Sequence, residues 1–424
     1  PNQERLRAIL NKKALAMTVC VQTSNELTGK KILLGVTGGI AAYKSAELVR
    51  LLKKAGADVV VVMTEAATRF VTPLTFQALS GNPVAVDAWD PEKGGGMTHI
   101  DLTRSSDLMV IAPASADFMA KVAQGRADDL LSALVLARDC PLAIAPAMNR
   151  QMWSNPATQR NKQLLENDGI AIWGPGVGEQ ACGETGEGRM LESCELAEAV
   201  IGALTAKQLA GKRIVMTAGP TFEPIDPVRG ITNLSSGQMG FAMARAFAQA
   251  GAEVVLVSGP VAFPTPLGVQ RINVQTAEQM RQAVMGQIAQ AQVFVGVAAV
   301  ADYRPVEVAE HKLKKTESVA GDGGRTITLM PNPDILAEVA SLPAAPYCVG
   351  FAAESQNLDD YAEAKRLRKR LPLVIGNLVS DGLGTSDNCV TLYDETGRYP
   401  LPPLSKPILA RRLVDELAAR LNKQ

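Results

Sequence analysis

Histidine occurs only twice in the 424 residues, at His99 and His311. Cysteine occurs six times, at Cys20, Cys140, Cys182, Cys194, Cys348 and Cys389, and never as C-x-x-C. That scatter argues against a zinc site and against a disulfide framework, so any thiol that matters is read as chemistry or as core filling. Neither sign of charge is in excess: Lys plus Arg and Asp plus Glu number 43 each, so no overall field points to nucleic acid or a membrane. No apolar run approaches the roughly 20 residues of a membrane span. Residues 1–28 lack a long apolar stretch and a cleavage pattern, which argues against a secretory signal. They read as a short, frayed or partly helical extension, with Met17 an alternative start, and the compartment expected is the reducing cytoplasm.

What the sequence does have is repetition. GKKILLGVTGGIAA from Gly29 and GKRIVMTAGPTFEP from Gly211 are each a β-branched run followed by a turn rich in Gly, Thr or Pro. Each is followed by a second apolar run, GADVVVVMT from Gly56 and GAEVVLVSG from Gly251. Third runs start at Asp107 (DLMVIAPASAD) and Val293 (VFVGVAAVADY). Buried parallel strands look like this, and they end in loops where ligands bind. The expectation is α/β: two Rossmann-like domains in tandem, each a mostly parallel sheet flanked by helices, each with its own pocket. A length of 424 residues fits two cores better than one.

The boundaries follow from the same pattern. Residues 1–28 form the extension, 29–206 the first domain and 207–424 the second, with KQLAGK (Lys207–Lys212) leading into the second first strand. KPILARRLVDELAARL, Lys406–Leu421, has the apolar spacing of a closing amphipathic helix. Gly174–Met190, GPGVGEQACGETGEGRM, is glycine-rich, and reads either as a surface flap or as a lid over an active site.

In the first pocket, Gly38 and Gly39 lie between a strand and a helix, where backbone N–H groups approach a phosphate. No full G-x-G-x-x-G is present, so nothing specifies a nicotinamide cofactor. Thr64 and Ser115 follow the second and third strands; each alone is more often a simple helix cap, and together they point to a phosphate or a flavin ring at the strand ends. His99 follows the glycine run GGGMTHI, and as a lone histidine is more simply a surface residue. Asn149 in PAMNRQMW stands just beyond a strand end, able to bind a carboxylate. Cys182 sits mid-flap, where a structural cysteine gains little burial and a proton donor is plausible.

GVTGGIAAYK, MTHI, APASAD, PAMN-x-x-MW and ACGETGEGRM, in that order, resemble the flavin-dependent cysteine decarboxylases. With the second half, nearly everything after residue 28 resembles the bacterial bifunctional phosphopantothenoylcysteine decarboxylase / phosphopantothenate–cysteine ligase family of coenzyme A biosynthesis. The resemblance implies FMN at Gly38, Gly39, Thr64 and Ser115, with the substrate thiol oxidised before decarboxylation. It makes Cys182 the proton donor, Asn149 the holder of the substrate carboxylate and His99 an assistant in thiol oxidation and decarboxylation. Asp117 and Asp129 stand where many relatives have Asn.

The second half has a long Pro- and Gly-containing loop in TAGPTFEPIDPVRGITNLSSGQMG, Thr217–Gly240, in place of the flavin-type turn. Ser235, Ser236 and Gly237 cap the next helix, an anion site or an ordinary N-cap. HKLKK (His311–Lys315) and the pair Lys365 and Lys369 read either as polyphosphate ligands or as solvated charge. TAGPT-x-EPIDPVR-x-ITN-x-SSG, AAVADYR, K-x-KK, NPDIL and GFAAE are the ligase motifs of the same family. They imply CTP as co-substrate, an acyl-cytidylate, release of pyrophosphate, and attack by the cysteine amine. By resemblance, Lys312 stabilises charge on the α-phosphate and Asn233 positions phosphopantothenate or its acyl-cytidylate. Nucleotide contacts fall on Gly296, Val297, Ala298, Asp302, Lys312, Pro333, Asp334, Ile335, Leu336, Phe351, Lys365 and Lys369. Mg2+ is expected to bridge the triphosphate. In Gly382–Val390 a glycine stands where relatives often carry phenylalanine.

Two other readings stay open at this level: a decarboxylase for a different cysteine-terminated substrate with a degenerate second half, and a flavin-binding regulatory subunit. The intact Asn233 and Lys312 motifs oppose the first. Cys182, Asn149 and the lack of an acidic tail in the sequence given oppose the second. The resemblance further implies a homo-oligomer, a dodecamer of trimeric decarboxylase and dimeric ligase domains, with small-molecule substrates and no nucleic acid or membrane partner.

Overall fold

The computed structural model describes residues 25–87, 103–180, 183–314, 326–378, 380 and 387–422. The chain divides between Leu204 and Thr205 into two compact units.

In the first unit, strands β1 (Lys31–Val36), β2 (Asp58–Met63), β3 (Leu108–Ala114), β4 (Leu142–Pro146) and β5 (Ala171–Ile172) pair in the order β2-β1-β3-β4-β5, all parallel. The side chains of β1, β3 and β4 are buried on both faces, which is why these strands read as continuous apolar runs rather than alternating ones. Helix Ala42–Lys54 turns Leu48, Leu51 and Leu52 inward, close to helical spacing. Leu27 is also in this core and donates its N–H to the Ala55 carbonyl, so the packed unit starts ahead of Gly29. The glycine-rich stretch is not an irregular flap. β6 (Gly176–Glu179) and β7 (Thr185–Arg189) form an antiparallel hairpin. Gly188 takes φ of 135°, and a Cβ there would stand 2.4 Å from the Met148 carbonyl, so glycine is what lets the hairpin lie against the β4 exit.

The second unit has a larger sheet. β8 (Arg213–Ala218) leads to a small ribbon, β9 (Phe222–Pro224) and β10 (Gly230–Thr232), where the sequence reads as loop only. β11 (Glu253–Ser258), β12 (Val269–Asn273) and β13 (Val293–Gly296) follow. A second ribbon joins β14 (Tyr303–Pro305) to β15 (Leu329–Pro331), ahead of β16 (Tyr347–Glu354) and β17 (Leu373–Leu378). β18 (Asp387–Asn388), β19 (Thr391–Asp394), β20 (Gly397–Pro400) and β21 (Leu404–Ser405) complete the strands. The main sheet runs β12-β11-β8-β13-β16-β17-β19-β20, with every pairing parallel except the last two. Helix Lys406–Leu421 buries Leu409, Leu413 and Leu417 against helix Gln238–Gln249 and the sheet. Each such leucine contributes on the order of 1.5–3 kcal/mol.

β1 lies between β2 and β3 in the first sheet and β8 between β11 and β13 in the second, so the crossovers leave each in opposite directions and open a crevice at its C-terminal end.

The contact between helix Gln238–Gln249 and β8 depends on Gly240, where a Cβ would stand 2.5 Å from the Ala218 Cβ. Gly240→Ala is expected to destabilise the second unit by about 1–3 kcal/mol. Denaturant unfolding followed by tryptophan-independent far-UV CD checks this; an unchanged midpoint would refute the close-packing account.

Candidate functional sites

The first crevice lies between β1 and β3. Register places Val36 beside Met63 and Gly35 beside Ile111, so residues after these three strands share one edge. Thr37 ties them together: its Oγ1 donates to the Pro113 carbonyl (2.8 Å) and accepts from the Ser115 N–H (3.0 Å). Gly38 packs where a Cβ would be 2.6 Å from the Ala66 Cβ, while nothing lies within 4 Å of a Cβ placed at Gly39. A Cβ at Gly39 would therefore stand in open space. Thr64 and Ser115 cap the helices Glu65–Thr68 and Ala116–Ala123, accepting from Ala67 N and Phe118 N. Their hydroxyl protons point the capping role and a ligand role at the same atoms without conflict, since one hydroxyl both accepts and donates. Helix Ala42–Lys54 has no side-chain cap at its N-terminus. Two backbone glycines, an uncapped helix start and two hydroxyls suit a phosphate and a planar ring system.

Asn149 N-caps Arg150–Ser154 just beyond β4, its Oδ1 accepting from Gln151 N (2.8 Å). Its Nδ2 donates to Glu184 Oε2 (2.9 Å), and Gln151 Nε2 donates to the other oxygen of the same carboxylate (3.1 Å). Met148 N–H donates to the Gly188 carbonyl, and Trp153 Nε1 to Glu187. The hairpin is thus fastened along the β4 exit, and at its base the buried Lys44 donates to the Met190 carbonyl and Glu192. Cys182 and His99 lie outside the described residues. Asp129 caps helix Leu130–Ala137 through Ser132 N (2.8 Å) and pairs with Lys121 (3.1 Å). A carboxylate fills that capping role as well as an amide. Asp117 falls in the first turn of Ala116–Ala123, where negative charge suits the helix dipole. Cys348 is core filling: burial pushes its thiol up to about 12.

The second crevice lies between β8 and β13. Gly219 and Gly237 both have positive φ, and a Cβ on Gly237 would stand 3.1 Å from Gly219 Cα. Gly237 itself is the N-cap of Gln238–Gln249; Ser235 and Ser236 accept from Gly237 N and Gln238 N. Gly296 ends β13, and Ala298 N–H donates to Thr217 Oγ1 (3.3 Å) across the crevice. Asn233 follows β10, its Nδ2 donating to the Ala299 and Val300 carbonyls (3.0 and 3.2 Å). Asn332 holds the neighbouring loop, donating to the Asp302 and Ala301 carbonyls. Asp302 is exposed there. Pro333 precedes Asp334, which caps Ile335–Ala340 through Ala337 N. Leu336 packs over Gly296 and Gly350.

Lys365 and Lys369 are not a solvated pair on one helix face. Lys365 donates to the Phe351 carbonyl, and Lys369, the C-cap residue of Leu358–Arg368, pairs with Asp334 at 2.6 Å. Burial lowers the Lys365 ammonium, and nearby Lys369 adds to this. Burial alone would raise Asp334, but Lys369 and the Ala337 N–H bring it below its ordinary value.

Lys312 is exposed, and the next residue, Leu313, is gripped from both sides. Leu313 N–H donates to Asp226 Oδ2 (3.1 Å), and its carbonyl accepts from Arg229 (2.7 Å). The Arg229 guanidinium, against the opposing cost of burial, and the N–H groups of Val228, Leu313 and Arg229 hold Asp226 far below the carboxylate range. Thr37, Glu184, Asp226 and Asn332 were not singled out by the sequence. All four stand inside quoted motifs, but only tertiary contacts give them roles. Among the described residues no cluster of three metal-ligating side chains occurs and no helix is long and apolar enough to cross a membrane.

These two crevices define a tandem of nucleotide-type α/β domains, the first of flavoprotein kind. Residues 20–205 match the Flavoprotein family and residues 209–421 the DNA/pantothenate metabolism flavoprotein C-terminal domain. The chain is 52% identical over 388 residues to the "Coenzyme A biosynthesis bifunctional protein CoaBC" of Vibrio cholerae, covering 91% of this chain and 96% of that one. It is 48% identical over 403 residues to the protein of the same name from Escherichia coli, covering 94% and 99%. A crystal structure of the C-terminal domain of a protein of that name is 37% identical, covers 52% of this chain and all of that one, and has a TM-score of 0.45. The chain belongs to the family of bifunctional coenzyme A biosynthesis proteins.

Because Asp334 is lowered on folding, its pairing stabilises the protein above the ordinary carboxylate value and loses that effect as pH falls through the lowered one. Lys369→Met is expected to raise the Asp334 value and to cost stability at neutral pH, the difference from wild type narrowing in acid. NMR titration of the Asp334 carboxyl with unfolding curves across pH measures both; an unmoved titration would refute the pairing.

Proposed function

We propose that this chain carries out two consecutive steps of coenzyme A biosynthesis. The second unit ligates cysteine to 4′-phosphopantothenate, using CTP, and the first decarboxylates the resulting 4′-phosphopantothenoylcysteine to 4′-phosphopantetheine. The observation that supports the proposal is one chain with two switch-point crevices, one in each unit, and near full-length similarity to bifunctional relatives.

In the first unit, the Gly38 and Gly39 backbone would receive the FMN phosphate, with Thr64 and Ser115 hydroxyls beside it. When bound, FMN supplies the two-electron chemistry that makes loss of carbon dioxide feasible. The chain's own residues do the rest. Asn149 donates a hydrogen bond to the substrate carboxylate, and His99 assists at the thiol. Cys182 delivers the proton that completes the reduced product.

In the second unit, a carboxylate is a poor acyl donor until its oxygen becomes part of a leaving group. Attack of the phosphopantothenate carboxylate on the CTP α-phosphate releases pyrophosphate and forms an acyl-cytidylate; the cysteine amine then displaces CMP. Lys312 stabilises the charge developing on the α-phosphate, and Asn233 positions the acyl group. Gly296, Val297, Ala298, Asp302, Pro333–Leu336, Phe351, Lys365 and Lys369 contact the nucleotide. Mg2+ would be carried on the triphosphate oxygens rather than in a protein cage. The assembly we assign is a cytoplasmic homo-dodecamer of trimeric decarboxylase and dimeric ligase domains, resting on the family resemblance.

The test is mass spectrometry of purified full-length protein with 4′-phosphopantothenate, cysteine, Mg2+ and either CTP or ATP. The expected outcome is a yellow protein that forms 4′-phosphopantetheine with CTP. Absence of the ligated product with either nucleotide would refute the ligase assignment. Cys182→Ser should keep its flavin yet form product at least about a hundredfold more slowly; wild-type turnover would remove Cys182 from the mechanism.

A further inference from the structure

We propose that Asp226 is a positioning residue for ligation, fixing Lys312 in one frame with Asn233 through its grip on the Leu313 peptide. The proposal rests on Lys312 acting at the α-phosphate.

The two oxygens of Asp226 do different work. Oδ1 accepts from Val228 N and Arg229 N, both at 2.8 Å, and so builds the turn that joins β9 to β10. Oδ2 faces outward from that turn. It accepts from Leu313 N, 87 residues away, and from the Arg229 guanidinium, which in turn donates to the Leu313 carbonyl. Among the described residues, the hydrogen bonds that hold 309–314 all run to this one turn, the third being Ala309 N–H to the Ile225 carbonyl (3.0 Å).

A turn alone does not require this much. The Asp226 side chain is fully buried, whereas Arg229 is half exposed. Burying a carboxylate is costly unless every oxygen is paired, and a turn needs only one of the two oxygens. The second oxygen is shared between the Arg229 guanidinium and the segment carrying Lys312, and that guanidinium itself grips the same segment. That lysine is exposed, and a long side chain carries about 2 kcal/mol of rotamer entropy. Its reach is therefore set by where its backbone is pinned. The same ribbon ends in Asn233, anchored to the Ala299 and Val300 carbonyls. One short ribbon thus fixes the acyl-positioning asparagine at its exit and the phosphate-facing lysine at its turn. Slack between them would spoil the geometry of an attack on the α-phosphate while leaving ground-state nucleotide binding to other contacts.

Asp226→Asn separates the two jobs. The amide oxygen can keep the Oδ1 contacts, while the NH2 group faces the Leu313 N–H and the guanidinium, donor against donor. Full-length wild type, Asp226→Asn, Lys312→Ala and the double variant would be compared by CTP-dependent pyrophosphate release. Hydrogen exchange at Leu313 gives a readout independent of activity, and decarboxylation of supplied 4′-phosphopantothenoylcysteine reports on the other unit in the same preparation. Asp226→Asn is expected to speed Leu313 exchange at least about tenfold and to lower kcat about ten- to a hundredfold, with the KM for CTP within about threefold. The double variant should be no slower than Lys312→Ala. Wild-type kcat despite fast Leu313 exchange, or losses that multiply in the double variant, would overturn the positioning role. Wild-type ligation by Lys312→Ala would instead overturn the assignment of Lys312, and this proposal with it. If Asp226→Asn does not fold, Arg229→Lys leaves the Oδ1 turn intact and weakens only the outward grip; an unchanged kcat there refutes the proposal equally.

Discussion

Everything at both sites depends on the handedness of parallel strand connections. A right-handed crossover carries the chain from one strand to its parallel neighbour, and the first strand of each sheet here has neighbours reached in opposite directions. At its C-terminal end no connection covers the sheet edge, and the backbone groups that would continue the ladder are left to loops. Polar atoms can be concentrated there without burying any of them unsatisfied. The interior of each sheet is apolar on both faces, so chemistry has no other place to reside.

Charge is handled consistently around the second crevice. Lys369 rests on Asp334 and Lys365 on the Phe351 carbonyl, so neither ammonium waits as a free, disordered group. On the proposed function, engagement of a polyphosphate would exchange one partner for another, and less side-chain entropy would be lost than in ordering a solvated lysine. The Asp334 pairing has a second effect, since the same carboxylate caps the helix whose Leu336 packs on Gly296. Helix start, strand end and lysine are one mechanical unit.

The sheets were legible in the sequence because buried parallel strands carry a local signal: β1, β2, β3, β8, β11 and β13 all lie inside apolar runs visible without tertiary information. The closing helix Lys406–Leu421 was equally plain from its spacing. The hairpin at Gly176–Arg189 and the ribbon β9–β10 were not: glycine is frequent in the hairpin strands, and the ribbon strands are only three residues each, too short for an alternating pattern to show. The same holds among site residues. Gly38, Thr64, Ser115 and Asn149 follow strands and announce themselves by position. Glu184 and Asp226 are ordinary acids in sequence, and acquire meaning only from partners 35 and 87 residues away.

The two crevices solve one problem with different devices. On the proposed function, each must hold a segment that bears a reactive side chain but cannot belong to the sheet, because a sheet side chain would be buried. In the first unit the segment is an antiparallel hairpin, stiffened by its own ladder and fastened to the β4 exit by Met148 N–H and the Asn149 amide. In the second it is an irregular stretch without a ladder, and a buried carboxylate supplies from outside what the ladder supplies from within. Backbone acceptors and donors are the anchoring points in both. A peptide group is fixed by fewer torsions than a side-chain tip, so tethering the backbone beside a reactive residue restricts that residue while leaving its own polar atoms available to substrate.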